Sequence, residues 1–178
     1  MKNYVMGLAL ASMVYTAVGC TNATDKTAEN KQVDATEESA EQSINPKFAD
    51  AKVNEVYQHY IHLKTALVNN DAKEADMGAK MLEKALTDAG MKTEAALASQ
   101  LTKAADVKSK REKLNPLSIA LAETLKKAKI ESGVVYKQFC PMANDGKGGY
   151  WLASESKINN PYYGASMLKC GSVEEEIK

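Results

Sequence analysis

Histidine is nearly missing from this chain of 178 residues; it occurs only as His59 and His62. That leaves few candidates for a histidine-built metal centre or a Ser-His-Asp hydrolase. Cysteine occurs three times, as Cys20, Cys140 and Cys170, and never as a Cys-x-x-Cys redox pair. Aromatic residues make up only 6% of the chain. A large β-sandwich or barrel needs many aromatic and β-branched strand positions, so this alanine-rich composition points to helices instead. A charge excess is also missing, because 23 Lys+Arg face 23 Asp+Glu. Nucleic-acid binding by bulk electrostatics therefore has no basis here. No internal repeat is visible. The length suits one domain with appendages.

What is present begins with an address. Lys2 supplies a short positive start, and Tyr4 to Val18 form one apolar run. The run is shorter than a usual spanning helix and close to the upper limit of a signal-peptide core. It ends in Ala17-Val18-Gly19-Cys20, which resembles the bacterial lipoprotein cleavage box. That resemblance implies a signal peptide over 1–19, cleavage before Cys20 and lipidation of its thiol. Acyl chains hold a protein on a membrane without a spanning helix, each buried methylene contributing about 0.8 kcal/mol. The expected location is the cell envelope: lipid-anchored, on the outer membrane, facing the periplasm. The plainer alternative is a secretory signal followed by a chance Cys. From Thr21 to about Lys47 the only sizeable apolar residues are Val33 and Ile44. Such a stretch buries too little surface to offset its ordering entropy, so 20–47 reads as lipidated Cys plus flexible tether.

From Phe48 onward the pattern turns helical. Val53, Val56, Tyr57, Tyr60, Leu63 and Leu67 recur at three- and four-residue steps and define one apolar stripe. Pro46 stands where a helix can begin, and Asn69-Asn70 ends it. Asp71-Ala-Lys-Glu74 predicts a capping box for a second helix. Its inner face is Ala75, Ala79, Leu82, Ala85, Leu86 and Ala89, and Gly90 closes it. Thr93 is the predicted cap of a third helix, with Leu97, Leu101 and Ala104 inside. Two readings fit Ala105 to Ile130. Either Asn115-Pro116 separates two helices, or a longer fourth helix is kinked by Pro116. Leu114, Leu117, Leu121 and Leu125 are core positions in both. Short connections favour antiparallel neighbours, so 48–178 is predicted to be a mostly α domain. Its body is an up-and-down bundle of about four helices, with a small irregular, β-hairpin C-terminal segment.

That last segment differs in composition. Val134 to Phe139 reads as a strand, Asn144 to Gly149 as a turn-rich loop, and Tyr150 to Ala153 as the returning strand. Five of the ten glycines lie between Gly146 and Gly171, and the segment from Val134 onward also holds the only Trp and two of the three Cys. A segment so rich in special residues is where a site is expected. Its motifs are Cys140-Pro-Met142-Ala, Trp151-Leu, Asn160-Pro-Tyr-Tyr-Gly164 and Met167-Leu-x-Cys170-Gly171. In that order they resemble the bacterial family called domain of unknown function 3347. Tyr60-x3-Lys64-x-Ala-Leu-Val68-x2-Asp71, Arg111 and Leu117-Ser118 are similar to the family's helical part. The resemblance runs from about Val53 to Ile177. The family includes lipoproteins and C-terminal extensions of adaptor subunits of heavy-metal efflux pumps. It therefore implies copper or related metal handling, with an efflux adaptor or pump as partner.

The residues themselves allow two chemistries. Cys140, Met142, Met167 and Cys170 form a soft donor set of two thiols and two thioethers, the kind that favours Cu(I) or Ag(I) over hard cations. Trp151, Tyr162 and Tyr163, with Tyr150, would shield such an ion. Alternatively, Cys140 and Cys170 form a disulfide, the default for two Cys in an oxidising compartment. In that reading no metal binds, and Trp151, Tyr162 and Tyr163 form a partner surface. The two readings coexist if a reversible disulfide gates the metal. Catalysis is not expected, because a Cys nucleophile needs a base and the two His lie far away in sequence. Met77-x3-Met81 has a spacing that suits Cu(I), yet Met at helical spacing is normally gap-filling core and is expected inside. His59-x-x-His62 reads as a half-exposed polar edge. Lys108 to Lys113 reads as a solvated helix face, and Ser172-x-x-Glu175 as the cap of a final short turn. Gly146-x-Gly-Gly149 opens no helix and supports no phosphate loop.

Overall fold

A computed structural model describes residues 45–178. The expected signal peptide, the lipidated Cys20 and most of the tether lie outside the described residues. Four helices carry the body: α1 (Ala51–Val68), α2 (Ala72–Asp88), α3 (Lys92–Thr102) and α4 (Val107–Leu125). They are followed by strands β2 (Ile130–Ser132), β3 (Val135–Cys140), β4 (Gly149–Ala153) and β5 (Ser172–Ile177). A two-residue strand, β1 (Lys47–Phe48), precedes α1 and pairs antiparallel with β2. The predicted fold class is the observed one: mostly helical, with small antiparallel strand segments towards the C-terminus. None of the described helices is long and apolar enough to cross a membrane.

Three aspartates start three of the helices by accepting orphan backbone N–H groups. Asp50 accepts from Lys52 N at 2.8 Å, Asp71 from Glu74 N at 3.0 Å and Asp106 from Ser109 N at 2.7 Å. The α1 helix starts at Ala51 and not near Phe48, because Phe48 is held in the β1–β2 ribbon. Thr93 does not cap α3; the cap position is Met91, which makes no side-chain bond. The α4 helix runs unbroken through Pro116. Pro116 sits on an exposed face, where water can satisfy the Glu112 carbonyl that loses its partner.

Each helix packs on the next, and α4 carries the sheet through β4. The apolar stripe of α1 is buried as predicted. Its two tyrosines reach out of the helix layer into the sheet. Tyr57 OH shares a hydrogen bond with Ser154 Oγ at 3.0 Å. Tyr60 OH lies 2.7 Å from Ser118 Oγ on α4 and accepts from Leu152 N on β4 at 3.0 Å. One phenol thus ties three elements together. Burial pushes the Tyr60 hydroxyl up to about 12, and pushes Tyr57 up further still.

The sheet order is β4-β3-β5, all antiparallel. Cys140 faces Gly149 across β3–β4, and Phe139 faces Ser172 across β3–β5. The Ser172-x-x-Glu175 stretch is therefore an edge strand and not a capped turn, because β3 leaves an open ladder for it. Two further expectations are overturned. Lys110, expected on a solvated face, is only 1% exposed and donates to Asp76 Oδ1 at 2.8 Å and Ala104 O at 2.6 Å. Its buried stem carries the charge from α4 to the Asp76 carboxylate of α2, where it is paired. Met77 and Met81, expected in the core, are 41% and 43% exposed. The α2 face that meets its neighbours is made by Ala75, Gly78, Ala79, Leu82, Ala85 and Leu86, and the methionines flank it.

Candidate functional site

Cys140 is the last residue of β3 and is buried. Beyond it, Pro141-Met142 leads into a tight turn, Ala143–Gly146, where Asn144 and Asp145 have φ of 53° and 58°. Asn and Asp enter the left-handed region more readily than other non-glycine residues. Asn144 holds the turn by donating from Nδ2 to Gly148 O at 2.9 Å.

Cys170 arrives from the other direction, after a 3₁₀ turn at Gly164–Met167. Its backbone N donates to Met167 O at 3.1 Å, so Met167 and Cys170 share one turn. Asn160 organises this approach and is itself fully buried. Its Nδ2 donates to Cys170 O at 2.8 Å, and its Oδ1 accepts from Tyr162 N at 2.8 Å and Tyr163 N at 3.4 Å. Tyr163 OH donates to Met142 O at 2.5 Å, clamping the Cys-Pro-Met loop to the Asn-Pro-Tyr-Tyr segment. Tyr162 OH donates to Tyr150 O at 2.7 Å. Arg111 pins the far side, donating from Nε to Pro161 O and from Nη2 to Leu67 O, both at 2.7 Å. Gly171 has φ of +141°, and a Cβ there would stand 2.7 Å from Phe139 O and 2.8 Å from Trp151 Cη2. Only glycine lets the chain turn this closely onto β3.

These supports bring the two sulfur atoms of Cys140 and Cys170 to 2.8 Å from each other, as free thiols thirty positions apart in the chain. The hydrogen bond between them raises the Cys170 thiol above its ordinary range, helped by desolvation and by the charge a Cys140 thiolate would carry. Met142 is 53% exposed and Met167 half-buried, and neither joins the hydrophobic core. Among the described residues, no three His, Cys, Asp or Glu side chains gather in metal-holding positions. At this place, then, two thiols are in contact, and Met142 and Met167 belong to the same two short segments.

Trp151 and Tyr162 are core residues, so the aromatic partner surface expected with Tyr163 is not on the outside. Their rings meet edge to face at 6.1 Å beneath the site, and only Tyr163 keeps part of its surface in solvent. Sequence reasoning placed Asn160 in a motif without giving it a role, and gave no role to Asn115, whose Oδ1 accepts from Tyr150 N at 2.9 Å. The Asn-Pro dipeptide at 160–161 is a turn signal that marks the first of them. Nothing local marks the second, because its partner lies on a distant strand.

No curated protein and no solved structure matches the chain. A family model does match, over residues 56–133, and it stops before both Cys140 and Cys170. The matched stretch covers most of α1, all of α2, α3 and α4, and β2. Over that stretch, the chain is similar to the family described as protein of unknown function (DUF3347).

Proposed function

We propose that this is a lipid-anchored envelope protein that binds a soft monovalent ion, Cu(I) or Ag(I), and serves metal efflux or homeostasis. Cys140 and Cys170 supply the thiolates, and Met142 and Met167 supply thioether sulfur, which binds without losing a proton. The protein acts as a binder and not as a catalyst. Cys20 holds it by its lipid on the outer membrane facing the periplasm, where an efflux adaptor or pump is the partner. One observation carries the reading: two thiols meet at 2.8 Å, and each shares its short segment with a methionine that the core does not use. A structural cross-link would need no such methionines.

The test is Cu(I) titration of the reduced full chain with Cys20→Ser, against a competing chelator, read by native mass spectrometry. One retained equivalent is expected. Cys140→Ser/Cys170→Ser should lower the affinity at least tenfold. No stoichiometric retention, or unchanged retention by the double variant, overturns the reading.

The sulfur separation also favours a second reading, a disulfide-stapled interaction module that binds no metal. A disulfide needs the sulfurs to close by under about 1 Å. An ion with metal–sulfur bonds of about 2.3 Å needs them to part by about 1–2 Å. In the second reading reduction disturbs folding and partner capture, while metal changes nothing.

A further inference from the structure

A second set of soft donors lies along the exposed seam between α1 and α2, on helices that contribute no cysteine. Contacts fix the register of that seam. Lys52 Nζ on α1 donates to Asp88 O on α2 at 2.9 Å. Lys84 feels the charge of Glu55. His62 Nε2 lies 2.9 Å from Glu74 Oε2. At the helix crossing a Cβ on Gly78 would stand 3.0 Å from Leu63 Cα. Advancing along α1 from 52 to 62 thus means retreating along α2 from 88 to 74, as antiparallel helices require. On this register His59 falls opposite Met81, and His62 opposite Met77.

The two methionines have little structural employment. Met77 and Met81 are 41% and 43% exposed, one helical turn apart on the same face. Apolar side chains at this spacing normally fill a core, yet these two stand in solvent. The histidine side chains are 21% and 34% exposed. Each has a carboxylate nearby: Glu74 at 2.9 Å from His62, and Glu55 at 3.8 Å from His59. A carboxylate on one ring nitrogen is the usual partner of an imidazole that binds metal through the other.

We infer that His59, His62, Met77 and Met81 form a second metal site, which takes Cu(I) or Ag(I) through thioether sulfur and imidazole nitrogen. The site shares no donor with the cysteine pair. It needs no thiolate, so oxidation of Cys140 and Cys170 leaves it intact. Thioether and imidazole ligands together suit copper and silver over hard cations.

The test uses silver nitrate in chloride-free buffer as the probe, because Ag(I) is not oxidised in air. The full chain with Cys20, Cys140 and Cys170 all changed to Ser is labelled at methionine methyls and histidine rings. At one equivalent of Ag(I), the NMR signals of Met77, Met81, His59 and His62 should shift together. Met77→Leu/Met81→Leu, at exposed positions where folding is unaffected, should weaken binding at least tenfold. Unmoved signals at these four residues, or unchanged affinity in the leucine variant, overturns the site. The signals are residue-resolved, so the wild-type chain reads out the same four residues should the serine variant fail to fold. Failure of the cysteine site would appear separately, as Cu(I) retention insensitive to Cys140→Ser/Cys170→Ser.

Discussion

Asn160→Ala probes the support on which the thiol pair depends. The wild-type side chain is fully buried and makes two good hydrogen bonds, from Nδ2 to Cys170 O and from Tyr162 N to Oδ1, both at 2.8 Å. Each such bond contributes about 1 kcal/mol net. The truncation also strands the buried Tyr162 N–H, at a further cost of about 1–2 kcal/mol. The Cys170 carbonyl is less penalised, because Cys170 is only half-buried. The expected loss is therefore about 3 kcal/mol, read as a lower urea midpoint at unchanged slope by the emission of the single Trp, Trp151. A second readout is specific to the site. The equilibrium of the Cys140–Cys170 pair with glutathione should shift at least tenfold against disulfide formation, since Cys170 is no longer held in place. Asn160→Asp adds a sign. Its carboxylate would face the Cys170 carbonyl, so its folded pKa lies above its unfolded value. The penalty relative to wild type is then small in acid and grows as pH rises through the folded pKa. A loss under about 0.5 kcal/mol for Asn160→Ala, with the glutathione equilibrium unmoved, would refute the assignment of Asn160 as the positioning residue.

Three other outcomes follow from the same geometry. Tyr57, Tyr60 and Tyr162 are all held neutral by burial, so their folded pKa values exceed the ordinary phenol value. Their contribution is complete below pH 10 and is lost as pH rises towards the folded values, at about 1.4 kcal/mol per pH unit for each; urea midpoints should hold up to about pH 10 and fall steeply from there to about 11.5, and less so for Tyr60→Phe. Joining Cys140 to Cys170 closes a thirty-residue loop. In the chain-entropy model that closure stabilises by about 3–4 kcal/mol, so oxidised protein should unfold at higher urea than reduced protein, and equal midpoints would contradict it. Gly171→Ala places a methyl group 2.7 Å from Phe139 O and 2.8 Å from the Trp151 ring. It should lower stability by about 2 kcal/mol or more through overpacking and backbone strain, with a visible change in Trp151 emission.

Much of the helical body is legible from local rules. The three- and four-residue recurrence of Val53 to Leu67 marks the buried stripe of α1, and Asp71 marks the start of α2, because cap geometry and helical period act within a few residues. The same rules misplace Met77 and Met81. Periodicity reports which residues share a face, and the neighbouring helix decides which face is covered. Ser172 to Glu175 satisfies a capping pattern in isolation, yet the open edge of β3 draws it into a strand. Lys110 lies in a basic run that looks solvated, and Asp76 from another helix makes its burial tolerable.

The candidate site divides the same way. Composition alone concentrates Cys140, Met142, Met167 and Cys170 in one irregular stretch, since unusual residues cluster there whatever the fold. Their meeting is a tertiary matter. Cys140 and Cys170 touch only because Asn160, Tyr163, Arg111 and Gly171 hold two loops against one sheet. The opposition of His59 to Met81 likewise depends on the antiparallel register of α1 and α2. Linear order carries turn chemistry, caps and helical period, which are short-range. Long-range burial and hydrogen bonding decide which of those residues meet, because that energy exists only once the elements have packed.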